Sequence, residues 1–131
     1  VLVEGQGSLL HPAYSGVTLG LIHGAAPHAF VLCHHAGATE VEGYPGHALP
    51  SLPELVELHE RIALPVRPAK VACIALNTAS LDDEAARAAI AAASEETGLP
   101  SDDPVRYGAS VLLDSVLATF EAQASGVLAD H

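Results

Sequence analysis

The sequence predicts an α/β fold built on a mainly parallel sheet in three layers, and three observations carry that expectation. Short unbroken aliphatic runs at 1–3, 29–35 and 70–76 alternate with longer segments of helical periodicity, the pattern of β–α–β units. The runs are continuous rather than alternating, as strands covered on both faces require. Each run closes on polar residues, Glu4, His34-His35 or Asn77, and open parallel sheets collect ligands at the carboxyl ends of their strands.

Taken in order, residues 1–3 read as a buried strand ending on Glu4. Gly5 and Gly7 follow at once, so the backbone can turn tightly and a ligand can approach its N–H groups. A helix is expected from Pro12 to about Gly24, with Val17, Leu21 and Ile22 as its apolar stripe. Its first turn would present N–H groups to an anion, with Ser8 and Ser15 as further donors. Residues 29–35 form the second strand, and 36–50, with three Gly and two Pro, form a long loop. Ser51-Leu52-Pro53-Glu54 is a capping box with Pro in the first turn. The helix it opens places Leu52, Leu55, Val56, His59, Ile62 and Ala63 on one face, with His59 read as a hydrogen-bonded packing residue. Residues 70–76 give the third strand, ending at Asn77. Ser80 or Asp82 caps an Ala-rich helix to about Thr97, stopped by Gly98. Residues 100–104 are a turn, and 105–107 a short edge strand or linker. The last helix spans 108–124, with Ala109, Leu112, Leu113, Val116, Leu117 and Phe120 as its stripe; the tail after Ser125 is expected to fray.

A chain of 131 residues, half of them hydrophobic, is long enough for one domain with a real core. The net charge of −11 with five Lys and Arg argues against nucleic acid and anionic membranes, whose phosphates need cations to meet them. No apolar run approaches the ~18 residues of a membrane span, and no signal peptide is visible. Cys33 and Cys73 sit in aliphatic runs and are expected to be free, buried thiols in a reducing cytoplasm. The chain lacks Met and opens inside a hydrophobic run, so it is expected to be the downstream part of a longer protein.

His11, His23, His34, His35 and His47 lack the spacing of a dedicated zinc site. Glu4 suits Mg²⁺ better, since that ion needs only one or two carboxylates beside water and phosphate. Gly5-Gln6-Gly7-Ser8 is not the G-x-S-x-G elbow of a serine hydrolase. Asn77 can also cap the turn that follows it.

Val3-Glu4-Gly5-x-Gly7 resembles the second acidic motif of the dethiobiotin synthase and cobyric acid synthase group of P-loop proteins. The longer string VEGQGSLLHPAYSGVTLGLIHG resembles the C-terminal P-loop domain of a family first catalogued as of unknown function that includes D-glutamate N-acetyltransferases. The similarity continues through Val31-Leu32-Cys33-His34, Gly43-Tyr44-Pro45, Leu76-Asn77-Thr78 and Asp103-Pro104-Val105-Arg106-Tyr107-Gly108, nearly the whole chain. It implies a P-loop-type sheet of which residues 1–131 form the C-terminal portion, with the phosphate-loop strand and an N-terminal domain upstream. It also implies that the strands at 1–3 and 29–35 flank that upstream strand. In many P-loop proteins an Asn at the Asn77 position reads the base; Ser80 stands where guanine readers have Asp, so adenine, or the adenine of coenzyme A, is implied. The family pattern often has an acid after His34 and an Arg near position 38, where this chain has His35 and Ala38.

The resemblance implies transfer of acetyl from acetyl-CoA to an acidic amino acid, D-glutamate. Such a reaction needs a proton acceptor, donors for the tetrahedral oxyanion and a grip on the carboxylates. Glu4 or His11 is the expected base. Gly5, Gln6, Gly7, Ser8 and Asn77 are expected at the cofactor, and Ser15, His34 and Arg106 at the substrate, with His34 also able to act as an oxyanion donor. Acetyl-CoA or ATP is the expected cofactor, with Mg²⁺ at Glu4 if a metal takes part. The expected partners are a small amino-acid substrate and further copies of the chain. Two alternatives remain at this level: an ATP-dependent carboxylase or amide ligase of the dethiobiotin synthase type, and a non-catalytic nucleotide-binding module.

Overall fold

The computed structural model describes residues 1–129; residues 130–131, the end of the tail expected to fray, lie outside the described residues. Its elements run α1 (Ser15–Ala25), β1 (Ala29–His35), α2 (Leu52–Ile62), β2 (Lys70–Asn77), α3 (Asp83–Thr97), β3 (Ser101–Asp102), α4 (Pro104–Tyr107) and α5 (Ser110–Ala129). The sheet has the order β1-β2-β3 with both pairings parallel. It is the α/β architecture the alternating runs predict.

β2 is the centre. Cys73 and Ile74 are wholly buried, and the two faces of the strand meet different layers. On one face Val71, Ile74 and Leu76 pack with Leu32, Leu55 and Ala93, joined by Leu52 and Val56 of α2 and Ile90 of α3. On the other, Ala72 and Cys73 meet Leu112 of α5, with Val116 beside them. Bulky side chains therefore fill the α2/α3 side, and small ones let α5 lie close. A register shift between Phe30 and Val31 puts an extra residue, Ala72, into β2 and re-aims the strand. Removing the Ile74 side chain from water contributes about 1.5–3 kcal/mol.

The helix ends follow their capping chemistry. Ser51 and Glu54 form the reciprocal box, Ser51 Oγ accepting from the Glu54 N–H and Glu54 Oε2 from the Ser51 N–H. Asp82, not Ser80, caps α3 through the Ala85 N–H at 2.8 Å. Gly98 ends it at φ +70°, a left-handed conformation natural to glycine. His59 packs as expected, its Nδ1 2.7 Å from the Leu55 carbonyl oxygen and its ring edge-on to Phe30.

Five expectations change. Residues 1–3 form no strand: Val1, Leu2 and Val3 lie open to solvent, because a strand needs a partner edge and none of the described residues supplies one. α1 begins at Ser15 rather than Pro12, the preceding turn being tied by Tyr14 and Ser15 N–H groups to the His11 carbonyl. Cys33 is exposed rather than buried, because the side of β1 that carries Val31, Cys33 and His35 is left largely open by the described residues. Residues 105–107 form a helical turn, not a strand, because Asp103 accepts from the Val105 and Arg106 N–H groups and Pro104 suits the first helical position; the short strand is Ser101–Asp102 instead. In α5, Leu112 is buried and Val116 packs, but Leu113, Leu117 and Phe120 are about half exposed, and the helix runs on to Ala129.

Asp103 ties the β2 end to this last corner. It is 3% exposed and accepts from the Thr78 N–H at 3.0 Å and the Thr78 hydroxyl at 2.5 Å, as well as from the Val105 and Arg106 amides. The Thr78 hydroxyl above all, then the backbone donors, hold its carboxyl below the usual range against the opposing effect of burial. A carboxyl depressed in the fold contributes stability above its unfolded value and loses it as pH falls through the folded one. Asp103→Asn is therefore expected to cost about 1–3 kcal/mol at pH 7, with the gap to wild type narrowing once pH drops below about 4. Denaturant midpoints at pH 7 and pH 3 test this; an equal gap at both pH values would contradict it.

Candidate functional site

β1 and β2 end side by side, with His34 opposite Leu76 and His35 opposite Asn77. Gly37, at φ +83°, turns the chain away after β1. Asn77 Oδ1 accepts the Ala79 N–H at 3.0 Å, so the side chain holds the following turn, and its backbone carbonyl accepts the Ala36 N–H. His34 is half-buried and faces a cavity of about 310 Å³ whose walls include Leu52, Leu76, Ala89, Ala93 and Glu96. Burial lowers the His34 pKa, His35 lowers it further, and the charge of Glu96 acts in the opposite sense. The imidazole is thus neutral at pH 7 and free to accept a proton.

The Gly-rich stretch folds back on α1. The Ser8 N–H donates to Thr18 Oγ1 at 3.0 Å, while the Thr18 hydroxyl is placed against the carbonyls of Gln6 (3.2 Å) and Tyr14 (3.0 Å). Ser8 Oγ accepts from the Leu10 and His11 amides, each at 3.2 Å. Gly5 passes so close to Leu21 that an added Cβ would lie 2.8 Å from its Cδ2. The Ser8 amide is therefore engaged within the protein. Ser15, half-buried, opens α1, its N–H bonded to the His11 carbonyl. His11 stacks on Tyr14 at 4.5 Å and meets the Tyr44 ring edge at 5.1 Å. Its Nδ1 accepts the Ala13 N–H at 3.1 Å, so the neutral ring carries its hydrogen on Nε2 and acts as a donor.

A second cavity, of about 370 Å³, lies beside this stretch between Leu10, Pro12, Val41, Tyr44, His47 and Pro50. Pro50 lines both cavities, so they adjoin. The loop over 36–50 that builds them is ordered by a Glu40–Ala48 bridge and by Val41–His47 and Leu49–Thr39 backbone bonds.

Of the candidate catalytic, cofactor and substrate residues named from sequence, His34 lines the first cavity, and Glu4, Gly5, Gln6, Gly7, Ser8, His11, Ser15, Asn77 and Arg106 line neither. Although Cys33 is exposed as a residue, partial covering of its thiol raises the thiol pKa, and the charge of the solvent-exposed Glu4 adds to this. Among the described residues no group of three His, Cys, Asp or Glu is arranged to hold a metal. A Mg²⁺ at Glu4 would take its other ligands from water and phosphate, a mode that one carboxylate fits. Arg106 donates through Nη2 to the Thr78 and Leu81 carbonyls at 2.9 and 2.7 Å, bracing the β2–α3 turn. The other four cations are also engaged: Arg61 with Glu57, Arg67 with His28, Lys70 with Glu60 and Arg87 with Asp83. None lines either cavity.

Sequence reasoning missed Glu96, Tyr44 and Thr18. Glu96 reads as one more acid on the wet face of α3, although its spacing of three from Ala93 and four from Ala92 places it on their side of the helix. Thr18 had no polar partner nearby in sequence. If Thr18 pins the Gly-rich stretch, Thr18→Val leaves the Ser8 N–H without its acceptor, at about 1–3 kcal/mol. Ser8 amide exchange is then expected to quicken by about tenfold or more, with β2 amides unchanged. Unaltered Ser8 exchange would contradict that role.

The chain is similar in sequence and fold to known proteins. A D-glutamate N-acetyltransferase of Tritonibacter scottomollicae is 42% identical over 122 residues, 89% of this chain and 35% of that protein. A protein of the same name from a Pseudoalteromonas species is 38% identical over 118 residues, 89% of this chain and 34% of its own length. The chain thus spans about a third of the length of the curated relatives it matches. The crystal structure of a DUF1611 family protein from Anabaena variabilis superposes with a TM-score of 0.84 at 50% identity, over 88% of this chain and 34% of that one. Residues 1–113 match the model of the domain of unknown function DUF1611_C, described as a P-loop domain. With the family model matched over residues 1–113 and the fold in agreement, the chain belongs to the DUF1611 family through its P-loop domain.

Proposed function

We propose that this chain is part of an enzyme that transfers acetyl from acetyl-CoA to the amino group of D-glutamate. The observation that carries the reading is the pair of relatives named D-glutamate N-acetyltransferase, 42% and 38% identical over 89% of the chain. Because the match covers about a third of their length, the reaction is proposed for the whole protein rather than for these residues alone.

The geometry is compatible with the needs of acyl transfer. His11, with hydrogen on Nε2, can donate to a developing oxyanion, as can the Gly5, Gln6 and Gly7 amides. The apolar cavity beside Tyr44 and Pro12 suits the arm of a thioester. Asn77 uses its carbonyl oxygen on the turn, which leaves its amide nitrogen for an adenine ring. Glu4 is a proton acceptor or, beside a coenzyme phosphate, a carboxylate for Mg²⁺. No helix among the described residues is long and apolar enough to cross a membrane. The two free cysteines fit a reducing compartment, and we place the protein in the cytoplasm.

The test is thiol release by the full-length protein from acetyl-CoA with D- or L-glutamate. Thiol is expected in equal amount to N-acetylglutamate, with D-glutamate as the better acceptor. No thiol above background with either enantiomer, together with ATP turnover stimulated by another substrate, would overturn the reading in favour of a ligase. Within an active enzyme, Glu4→Gln separates the two roles of that residue. A kcat loss of roughly 10²–10⁴-fold at every Mg²⁺ concentration marks a base, whereas a loss reversed by added Mg²⁺ marks a metal contact.

A further inference from the structure

We infer that the cavity between the end of β1 and α3 is the amine subsite of this acyl transfer, with His34 as proton acceptor and Glu96 as the carboxylate that holds the incoming ammonium; this rests on the acyltransferase reading above. Among the described residues, His34 and Glu96 are the only acidic or basic side chains in its lining, and the walls between them are Leu52, Leu76, Ala89, Ala92 and Ala93. The alanines leave the room: about 310 Å³ is space for a small molecule's head group.

The charge pattern selects the ligand. An anion entering this cavity would meet Glu96 and no cation, since all five Lys and Arg side chains are engaged away from it. An ammonium meets a carboxylate and, beside it, a neutral imidazole. The same asymmetry directs the carboxylates of an acidic amino acid out of the cavity, leaving the amine inside. His34 also stands apart from the other two bases considered. Among the described residues it has no hydrogen-bond partner that fixes its tautomer, His11 is held as a donor by the Ala13 amide, and Glu4 lines neither cavity.

His34 first takes one proton from the ammonium and passes it to water. The free amine attacks the thioester carbonyl carbon, forming the C–N bond. As the C–S bond breaks, the second proton leaves nitrogen through His34 and ends on the departing sulfur. One ammonium and one thioester thus give one amide, one thiol and one released proton.

The experiment uses the full-length protein, with D-glutamate and glutarate (the same two carboxylates without the amine) as calorimetric probes. D-glutamate is expected to bind at least about tenfold more tightly than glutarate, and Glu96→Gln to remove that preference and raise the D-glutamate KM about tenfold. His34→Gln is expected to lower kcat by roughly 10²–10⁴-fold and to abolish the acid limb of the kcat/KM profile. Ala89→Leu, which fills the cavity without touching a titrating group, is expected to block D-glutamate and spare acetyl-CoA binding. If the enzyme acetylates D-glutamate but His34→Gln and Glu96→Gln keep the pH profile and KM within about twofold of wild type, a change too small for a lost charge contact, the subsite is wrong and the acyltransferase reading stands. If the wild type acetylates no amine, that reading fails while the binding arm still decides: a D-glutamate preference lost in Glu96→Gln supports the ammonium subsite, and equal binding of glutarate overturns it.

Discussion

The structure depends on one constraint, that β2 be enclosed on both faces and both edges. Its edges are taken by β1 and β3, and its faces by α2 and α3 on one side and α5 on the other. A strand so placed has its backbone groups paired and tolerates no polar side chain until its end. That end is therefore where polarity can appear, at Asn77 and Thr78, and it is held by a buried carboxylate from a distant segment, Asp103. The chain just past the last residue of the central strand is thereby tied to the α4 corner.

Charge is the second constraint. Sixteen acids share five Lys and Arg, and each of those five is engaged locally. Arg61 and Arg87 pair along α2 and α3, Lys70 ties β2 to Glu60, Arg67 meets His28, and Arg106 holds carbonyls of the β2–α3 turn. Exposed pairs such as Arg61–Glu57 contribute little to stability, but they remove cations from the cavities. What remains there is imidazole, carboxylate, aromatic edge and aliphatic wall. Such a surface complements cations and apolar arms better than phosphates, in keeping with a P-loop domain in which no Gly-rich phosphate loop occurs along this chain.

Much of this fold is legible from residues close together in sequence. The β1 and β2 runs, the Ser51 box, the Asp82 cap and the Gly98 stop are each decided by local chemistry within a few positions, and each stands as read. The same holds for the family, because the string from Val3 to Gly24 carries its own pattern. Asn77 has two local readings, base contact and turn cap, and the Ala79 bond shows that the cap operates.

The sequence by itself determined the α/β class with its parallel sheet, the Ser51 box and Gly98 stop, the family, and the polar ends of β1 and β2, since periodicity and capping act through neighbours along the chain. Only the tertiary structure decided that residues 1–3 stay unpaired, that Cys33 lies open and that α5 buries Leu112 but not Leu113. Those outcomes turn on which surfaces exist to cover them. It also decided that Glu96, far along the chain from His34, lines the same cavity. An acid on a helix looks alike from the sequence whether it faces water or a strand end; packing α3 across β2 is what makes the difference.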